Sequence, residues 1–369
     1  MALEADLGEL FVGGFSGPEI PPDFAALARD GQLGGAVLFR RNLPDLETAR
    51  ALTDALHALR TDAPLLVSVD QEGGRVQRLR RPFPELPPMR RLGETADPAL
   101  CREAGRTVGL GLRALGFDQD YAPVLDVDSN PANPVIGDRA FSADPERVGT
   151  LGVAFGAGLE AAGVASCGKH FPGHGDTALD SHLALPRLPH PMARLEAVEL
   201  IPFRRAVEAG LASLMTAHVI FDAVDPERPA TLSPAALALL RGRLGYEGVV
   251  VSDDLEMRAI ADGWGIAEAA VAAIAAGCDQ VLICEHPALV AEAFDAARAA
   301  VRSGDLPAAR IAEAAARVRR LKARFVRPEA AAGPIDEVLP RAARDRLSRR
   351  LGALGPGPSD QGPDPTERT

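Results

Sequence analysis

The sequence lacks the features typical of membrane, secreted and nucleotide-binding proteins. No run of roughly 18 apolar residues suggests a membrane span. Residues 1–6 have neither the basic nor the apolar region of a secretory signal. No GxGxxG motif opens a helix after the first apolar run, and the phosphate-binding pattern GxxxxGKS/T is absent. We therefore expect a cytoplasmic protein that binds neither a membrane nor a nucleotide cofactor.

Cysteine and positive charge are both scarce. The chain has 4 cysteines in 369 residues and no CxxC pair, which favours small buried apolar groups over a disulfide framework. Its 51 acidic residues outnumber 40 basic ones, for a formal net charge of −11. Because binding of a phosphate backbone requires clustered Lys and Arg, nucleic acid is not an expected partner.

Short apolar runs alternate with longer segments of helical periodicity, which is typical of βα units and a parallel sheet. Eight candidate strands lie at 10–15, 35–39, 65–70, 118–125, 165–170, 213–218, 249–253 and 280–284. Candidate helices lie at 45–60, 98–115, 145–162, 194–209, 234–244, 266–276, 287–302 and 308–324. This pattern favours an α/β fold with a closed (β/α)₈ barrel of the TIM type over an open doubly wound sheet.

The chain is expected to form a single domain with a C-terminal extension. The barrel is assigned to residues 1–328 and the extension to 329–369. Residues 355–369 have almost no apolar side chain to bury, so this end of the extension is expected to be disordered.

Polar residues end most of the candidate strands. In a TIM-type barrel, catalytic groups lie at the C-terminal ends of the strands and in the loops that follow. Asp70, Lys169, His170 and Asp253 each follow an apolar run, so we expect their side chains to converge over one barrel mouth. The residues after the last strand, 285–286, are interpreted as ordinary polar loop residues.

The segment 169–182, KHFPGHGDTALDSH, contains three histidines and two aspartates in a loop that Pro and Gly keep from being helical. One interpretation is a metal site, although no HExxH pattern or zinc-type spacing supports it. In a second, Asp180 orients His182 as a proton shuttle and Asp253 acts as a nucleophile. In a third, these residues only form hydrogen bonds within the loop. The candidate metal ligands are His170, His174 and His182 with Asp176 or Asp180.

Six segments resemble, in the same order, the β-N-acetylglucosaminidase branch of glycoside hydrolase family 3. The resemblance covers about residues 8–325, and the long histidine loop is its most specific part. The segments are DQEGGRVQR at 70–78, IGDRAFS at 136–142, KHFPGHGDTALDSHLALP at 169–186, MTAHVIF at 215–221, PATLSP at 229–234 and VSDDLEM at 251–257.

The resemblance implies an enzyme that removes terminal β-linked N-acetylglucosamine with retention, typically from muropeptides during cell-wall recycling. It implies that Asp253 is the nucleophile and that Asp180 with His182 forms the acid/base pair. It implies no metal or other cofactor, and a monomer is expected. By the same resemblance, Met257 lies near the N-acetyl group, and the sugar hydroxyls are bound by Asp70, Arg78, Arg139, Lys169 and His170.

One departure from the wider family supports this assignment. Many family-3 β-glucosidases complete their active site with a second domain, whereas only about 45 residues follow the last candidate helix here, too few for a domain. The acid would then come from the barrel's own loop. Lys169 and Arg139 are also expected to keep Asp253 ionised. A family-3 phosphorylase, a β-glucosidase, a metal-dependent hydrolase and a sugar-binding protein without turnover remain as alternatives.

Overall fold

Eight parallel strands close into a barrel. A computed structural model describes residues 2–179, 185–328, 333–352, 364 and 366. Each strand pairs with its neighbours along the chain, and the last strand pairs with the first, so the (β/α)₈ prediction is confirmed. The strands are β1 (Phe11–Gly13), β2 (Gly35–Leu38), β3 (Leu66–Val69), β4 (Gln119–Asp120), β5 (Ala165–Phe171), β6 (Ser213–Thr216), β7 (Val249–Asp254) and β8 (Gln280–Ile283).

Each of the predicted strand segments overlaps one barrel strand, but β4 is much shorter than predicted. The segment 118–125 contributes only Gln119–Asp120 to the ladder, followed by an isolated bridge between Val124 and Lys169. Pro123 lies between these two pairings, and a proline has no N–H to donate to a neighbouring strand. The regular ladder therefore stops early, although the N–H groups of Cys167 and Lys169 still donate to the carbonyls of Ala122 and Pro123, at 2.8 and 3.1 Å.

Most of the helices surround the barrel. Two of the long helices have typical N-caps. The carboxylates of Asp97 and Asp144 accept backbone N–H groups of the first turn, and each aspartate is followed by Pro at the first helical position. The α-helices are Ala2–Gly8, Pro22–Arg29, Leu46–Ala58, Met89–Thr95, Pro98–Ala114, Pro145–Ala161, Met192–Ala197, Leu200–Ala209, Pro234–Ala238, Arg258–Trp264, Ile266–Ala276, Pro287–Ser303, Ala308–Phe325, Ile335–Val338 and Arg341–Gly352.

Short elements connect the larger ones. Two small sheets lie outside the barrel, one of Gln71–Gly73 with Val76–Gln77 and one of three strands. The three-stranded sheet consists of Arg187–Leu188, Ile220–Phe221 and Asp225–Pro229. Single helical turns of other types occur at Arg40–Asn42, Gly137–Arg139, Ala230–Leu232 and Leu239–Arg243.

Two of the predicted helices are wrong in extent. The segment 194–209 forms two helices that separate at Val198 and Glu199. Pro202 explains the break, because it lacks the N–H that a continuous helix would donate to the Val198 carbonyl. The segment 234–244 is an α-helix only to Ala238 and then widens into a π-type turn.

The core has two apolar layers. Inside the barrel, side chains such as Val37, Leu66 and Val251 pack together, and Leu321 and Phe325 of the Ala308–Phe325 helix join the same cluster. A larger cluster fills the space between the strands and the surrounding helices. The strands are thus buried on both faces, which explains why they appear in the sequence as continuous apolar runs.

The C-terminal extension contains a helix that the sequence analysis did not predict. Ala343 and Leu347 of Arg341–Gly352 are buried, and Arg346 Nε donates to Glu103 Oε1 at 2.6 Å on the neighbouring helix. The division at residue 328 stays a prediction. Apart from Asp364 and Thr366, the tail expected to be disordered lies outside the described residues.

Within the described part of the chain, no single helix is both long and apolar enough to cross a membrane. Two consecutive helices, Arg258–Trp264 and Ile266–Ala276, together have the length and hydropathy of a membrane span. Their axes, however, are bent by 104° at the break between them. Several of their apolar side chains, including Ile260 and Ile274, belong to the cluster between barrel and helices.

Candidate active site

A pocket of about 730 Å³, its open mouth included, lies at the C-terminal ends of the barrel strands. Asp70 directly follows β3, whereas Lys169 and His170 lie on β5 and Asp253 on β7. All four side chains line the pocket, so their predicted convergence is confirmed. Other lining residues that the sequence analysis singled out are Arg139 and Met257.

Two irregularities in strand pairing lie beside the pocket. Between Gly168 and Phe171, β5 has one residue more than β6, and between Val251 and Asp254, β7 has one more than β8. An extra residue on one strand bends it and redirects its side chains, a common device next to active sites. The sugar-binding pair predicted on β5 and the nucleophile predicted on β7 fall within these two segments.

A buried network of charges forms one wall of the pocket. Lys169 Nζ lies 2.6 Å from Asp70 Oδ1 and 2.6 Å from Glu72 Oε1. Arg139 donates to both oxygens of Glu72, from Nε at 2.9 Å and from a terminal nitrogen at 2.7 Å. Arg78 lies 3.4 Å from Asp70 Oδ2. Glu72 is 1% exposed, so it joins two cations behind Asp70, a mostly buried carboxylate that lines the pocket.

The network keeps Glu72 and Lys169 ionised. Burial alone would raise the pKa of Glu72, but the charges of Arg139 and Lys169 outweigh it and hold that pKa far below the usual range. Burial alone would likewise lower the pKa of Lys169, but Asp70 and Glu72 outweigh it and raise that pKa. The Lys169 ammonium and the Glu72 carboxylate are therefore fixed charges at neutral pH.

These ion pairs add a residue that the sequence analysis did not assign. The ion pairs of Lys169 and Arg139 are with Asp70 and Glu72, and their expected effect on the ionisation of Asp253 stays a prediction. Sequence reasoning missed Glu72, although it stands two residues after Asp70 in the DQEGG segment. A second acid so close to a predicted site residue was the available signal.

His170 is held by a carboxylate that sequence reasoning did not assign. Asp126 Oδ2 lies 2.6 Å from His170 Nδ1, and Asp126 Oδ1 accepts the backbone N–H of His174 at 2.7 Å. Burial, together with the nearby charge of His170, lowers the pKa of His174 to about 4. The buried carboxylate of Asp126 thus orients the His170 ring and fixes the backbone at His174. The His174 side chain is neutral at pH 7.

The beginning of the histidine loop is fastened to the loop after β4. Asn133 Nδ2 donates to the His174 carbonyl at 2.9 Å, and Asn133 Oδ1 accepts the N–H of Val135 at 2.9 Å. Gly175 passes so close to this loop that an added Cβ would lie 1.7 Å from the Val127 carbonyl oxygen. Only glycine fits there, so the approach of the two backbones sets the course of the loop.

The two acids at the end of β7 have different surroundings. Asp253 Oδ1 accepts the N–H of Asp254 at 2.8 Å, and its side chain lines the pocket. Asp254 Oδ1 accepts the N–H groups of Glu256 at 3.0 Å and Cys284 at 3.3 Å. His218 Nε2 donates to the Asp254 carbonyl at 2.9 Å and is fully buried. Asp254 therefore braces the strand end from which Asp253 extends.

The residues after β8 are hydrogen-bonded to Glu256, which lies in the turn after β7. Glu256 accepts the N–H of Glu285 at 2.5 Å and lies 2.6 Å from His286 Nδ1. Glu285 also lines the pocket.

Another pair of pocket-lining residues, Phe39 and Arg41, follows β2. The Arg41 guanidinium lies 4.5 Å from the centroid of the Phe39 ring. Sequence reasoning missed this pair, although the same inspection of strand ends would have found it.

The proposed acid/base pair, Asp180 and His182, lies outside the described residues, so its role stays a prediction. Among the residues that are described, no group of three or more His, Cys, Asp or Glu side chains could hold a metal ion. Asp176, a ligand in the metal interpretation, forms an ion pair with His190. The four cysteines are buried free thiols, as predicted.

Known proteins that match this chain agree with its geometry. The family model described as the glycosyl hydrolase family 3 N terminal domain matches residues 3–321. The chain belongs to this family. A relative from Alkalilimnicola ehrlichii, named Beta-hexosaminidase, is 47% identical over 291 residues, which are 77% of this chain and 82% of the relative.

Solved structures of family members have the same fold. A glycoside hydrolase family 3 beta-N-acetylglucosaminidase from Paenibacillus sp. is 41% identical, with a TM-score of 0.90 over 95% of this chain and 69% of that one. NagZ from Neisseria gonorrhoeae, in complex with N-trifluoroacetyl-D-glucosamine, is 35% identical. Its TM-score is 0.79 over 95% of this chain and 98% of that one.

Proposed function

We propose that this protein is a retaining β-N-acetylhexosaminidase that removes terminal β-linked N-acetylglucosamine. The observation that carries the proposal is the position of Asp253, on an irregular strand end facing a pocket with a fixed polar wall. The names of the relatives, Beta-hexosaminidase and beta-N-acetylglucosaminidase, support the same activity.

Asp253 is the nucleophile in this proposal. Glycoside cleavage develops positive charge at the anomeric carbon, and a carboxylate beneath that carbon stabilises the charge before bonding to it. Asp254 is less suited, because its carboxylate accepts backbone N–H groups of Glu256 and Cys284. The covalent glycosyl-Asp253 is then hydrolysed by water, which gives overall retention.

The charge network provides the sugar-binding wall. Asp70 accepts hydrogen bonds from hydroxyl groups, whereas Lys169 and Arg139 donate to hydroxyl oxygens. Since Glu72 already fixes both cations, they need little reorganisation when the sugar enters. Met257, 3% exposed at the pocket wall, offers an apolar contact for the N-acetyl methyl group.

Asp180 and His182 form the acid/base pair in this proposal, as the resemblance implies. A histidine can donate a proton to the leaving group and later accept one from water near neutral pH. The carboxylate of Asp180 would fix its tautomer and raise its basicity. The loop that carries the pair is already fastened at His174 and Gly175, on the same side of the barrel.

The natural substrate that we propose is a muropeptide released during cell-wall recycling in the cytoplasm, and the protein is expected to act as a monomer. Cell fractionation checks the location, and sedimentation checks the oligomeric state. Product analysis with purified muropeptides checks the substrate, because free N-acetylglucosamine must appear.

Hydrolysis of an aryl β-N-acetylglucosaminide and of the matching aryl β-glucoside, both with chelator present, tests the activity. We expect a far higher kcat/KM for the acetamido sugar, because an empty acetamide pocket forfeits apolar contact and hydrogen bonds. Equal rates would refute the hexosaminidase assignment, and loss of activity with chelator would favour a metal-dependent hydrolase. Formation of sugar 1-phosphate when phosphate is added would indicate a phosphorylase.

The proton-shuttle role of His182 is tested by the leaving group. A general acid matters most where the leaving group is a poor one, so His182→Ala should slow cleavage of a natural glycoside much more than that of a dinitrophenyl glycoside. Asp180→Ala should show the same pattern more weakly. An equal loss on both substrates in a folded variant would contradict the role.

A further inference from the structure

The C-terminal tail reaches Arg78, at the edge of the charge network. Asp364 Oδ2 forms an ion pair with Arg78, and Arg78 also donates to the Thr366 hydroxyl at 2.5 Å. The Asp364 side chain is 10% exposed and that of Arg78 is 0% exposed. Thr366 lines the same pocket as Asp253 and Lys169. The tail therefore covers a residue that the resemblance assigns to sugar binding.

The contact has a defined local geometry. The second oxygen of Asp364, Oδ1, accepts hydrogen bonds from the Thr366 backbone N–H at 2.9 Å and from its hydroxyl at 2.7 Å. These bonds leave Oδ2 directed at the guanidinium. The carboxylate and the hydroxyl are thus presented together, much as a sugar presents neighbouring oxygen atoms.

Charge favours this contact. The network contains three cations, Arg78, Arg139 and Lys169, and two carboxylates, Asp70 and Glu72, of which Arg139, Lys169 and Asp70 line the pocket. Lys169 lies closer to Asp70, at 2.6 Å, than Arg78 does, at 3.4 Å. Asp364 brings a third carboxylate to Arg78, the cation that Asp70 holds less closely. A neutral sugar cannot supply that charge.

We propose that Asp364 and Thr366 compete with the substrate for Arg78, so that the tail sets the apparent affinity of the enzyme for its sugar. An Arg78 N–H that donates to the tail is not available to a sugar hydroxyl, so the sugar must displace these two residues. Because Asp364 and Arg78 belong to the same chain, their contact is intramolecular, with an effective concentration on the order of millimolar. Even a weak contact then occupies the site.

Steady-state kinetics on an aryl β-N-acetylglucosaminide tests the competition, which rests on the proposed activity. The variants are Asp364→Asn and a chain ending at Gly352. If only a fraction of the enzyme has a free Arg78, KM is raised by the reciprocal of that fraction. We expect both variants to lower KM by about three- to tenfold with kcat unchanged. Asp360→Asn, which removes the same charge from the same tail, should leave KM unchanged.

A binding experiment separates failure of this inference from failure of the proposed activity. A synthetic peptide of residues 353–369 is titrated into the chain ending at Gly352, with N-acetylglucosamine as competitor. We expect the peptide to bind, to be displaced by the sugar, and to bind at least threefold more weakly when Asn replaces Asp364. Absence of peptide binding would overturn the inference whatever the enzyme hydrolyses. A KM that stays the same or rises in both variants would overturn it too, a rise showing that the tail helps to bind the sugar.

Discussion

Adjacent carboxylates at the end of β7 differ in what surrounds them. Both line the pocket, but Asp254 accepts the N–H groups of two other segments, at Glu256 and Cys284, whereas Asp253 accepts the N–H of its neighbour Asp254. Asp253→Ala should therefore fold normally and lose at least about three orders of magnitude in kcat. A 5-fluoro N-acetylglucosaminyl reagent, analysed by peptide mass spectrometry, should label Asp253.

Asp254→Ala is the matched control for this prediction. Its main expected effect is on stability, because two backbone N–H groups lose their acceptor, and a thermal melt should show a lower Tm. Labelling at Asp254 instead, or full activity of Asp253→Ala, would contradict the assignment of the nucleophile.

His174 should make stability depend on pH. Because the pKa of this histidine is lowered to about 4 in the folded protein, the unfolded chain takes up a proton first as pH falls. Its contribution to stability is full above about pH 6.5 and is lost towards pH 4, at up to about 1.4 kcal/mol per pH unit. Denaturant unfolding of His174→Asn should show a weaker decline over this range than the native chain. Parallel curves for the two proteins would exclude the effect.

At the scale of elements, close approach between the loops after β4 and β5 depends on Gly175. An added Cβ would lie 1.7 Å from the Val127 carbonyl oxygen, so Gly175→Ala must displace one of the loops. We expect a loss of more than about 2 kcal/mol in stability and a strong decrease in kcat. Thermal melts and initial rates measure the two effects.

Gly242 offers a matched control in a helical turn. At that position, no described atom lies within 4 Å of an added Cβ. Gly242→Ala should change stability by less than about 1 kcal/mol and leave the rate unchanged. If both alanine variants behaved alike, the close contact between the loops would not be what requires glycine at 175.

For the whole molecule, the division at residue 328 predicts that a chain ending there still folds as a barrel. It loses the buried side chains of Ile335, Leu339 and Leu347, which together contribute about 4.5–9 kcal/mol, at about 1.5–3 kcal/mol each. Its thermal unfolding should remain one cooperative transition at a clearly lower Tm, whereas a chain ending at Gly352, which loses only the tail contact with Arg78, should have a Tm much closer to the native one. Loss of the folded state on removal of residues 329–369 would contradict the division.

How well the sequence predicted each part of the molecule depended on how local the cause was. The eight strands and most helices follow from short-range periodicity, and errors such as the break at Val198 came from a single proline whose effect is local too. The helix Arg341–Gly352 was missed because its apolar stripe is reduced to Ala343 and Leu347 among many arginines. It is stabilised by packing on a neighbouring helix, which a single sequence does not reveal.

The sequence by itself determined the barrel and the acids and bases at its strand ends, because alternating periodicity and the position of a residue after a strand are local properties. The family resemblance added roles to those residues. Only the tertiary structure decided that Glu72 joins Lys169 to Arg139, since Lys169 and its partner Asp70 are 99 positions apart. It also decided that Asp364 meets Arg78 across 286 positions, a contact set by how the whole chain closes around the pocket.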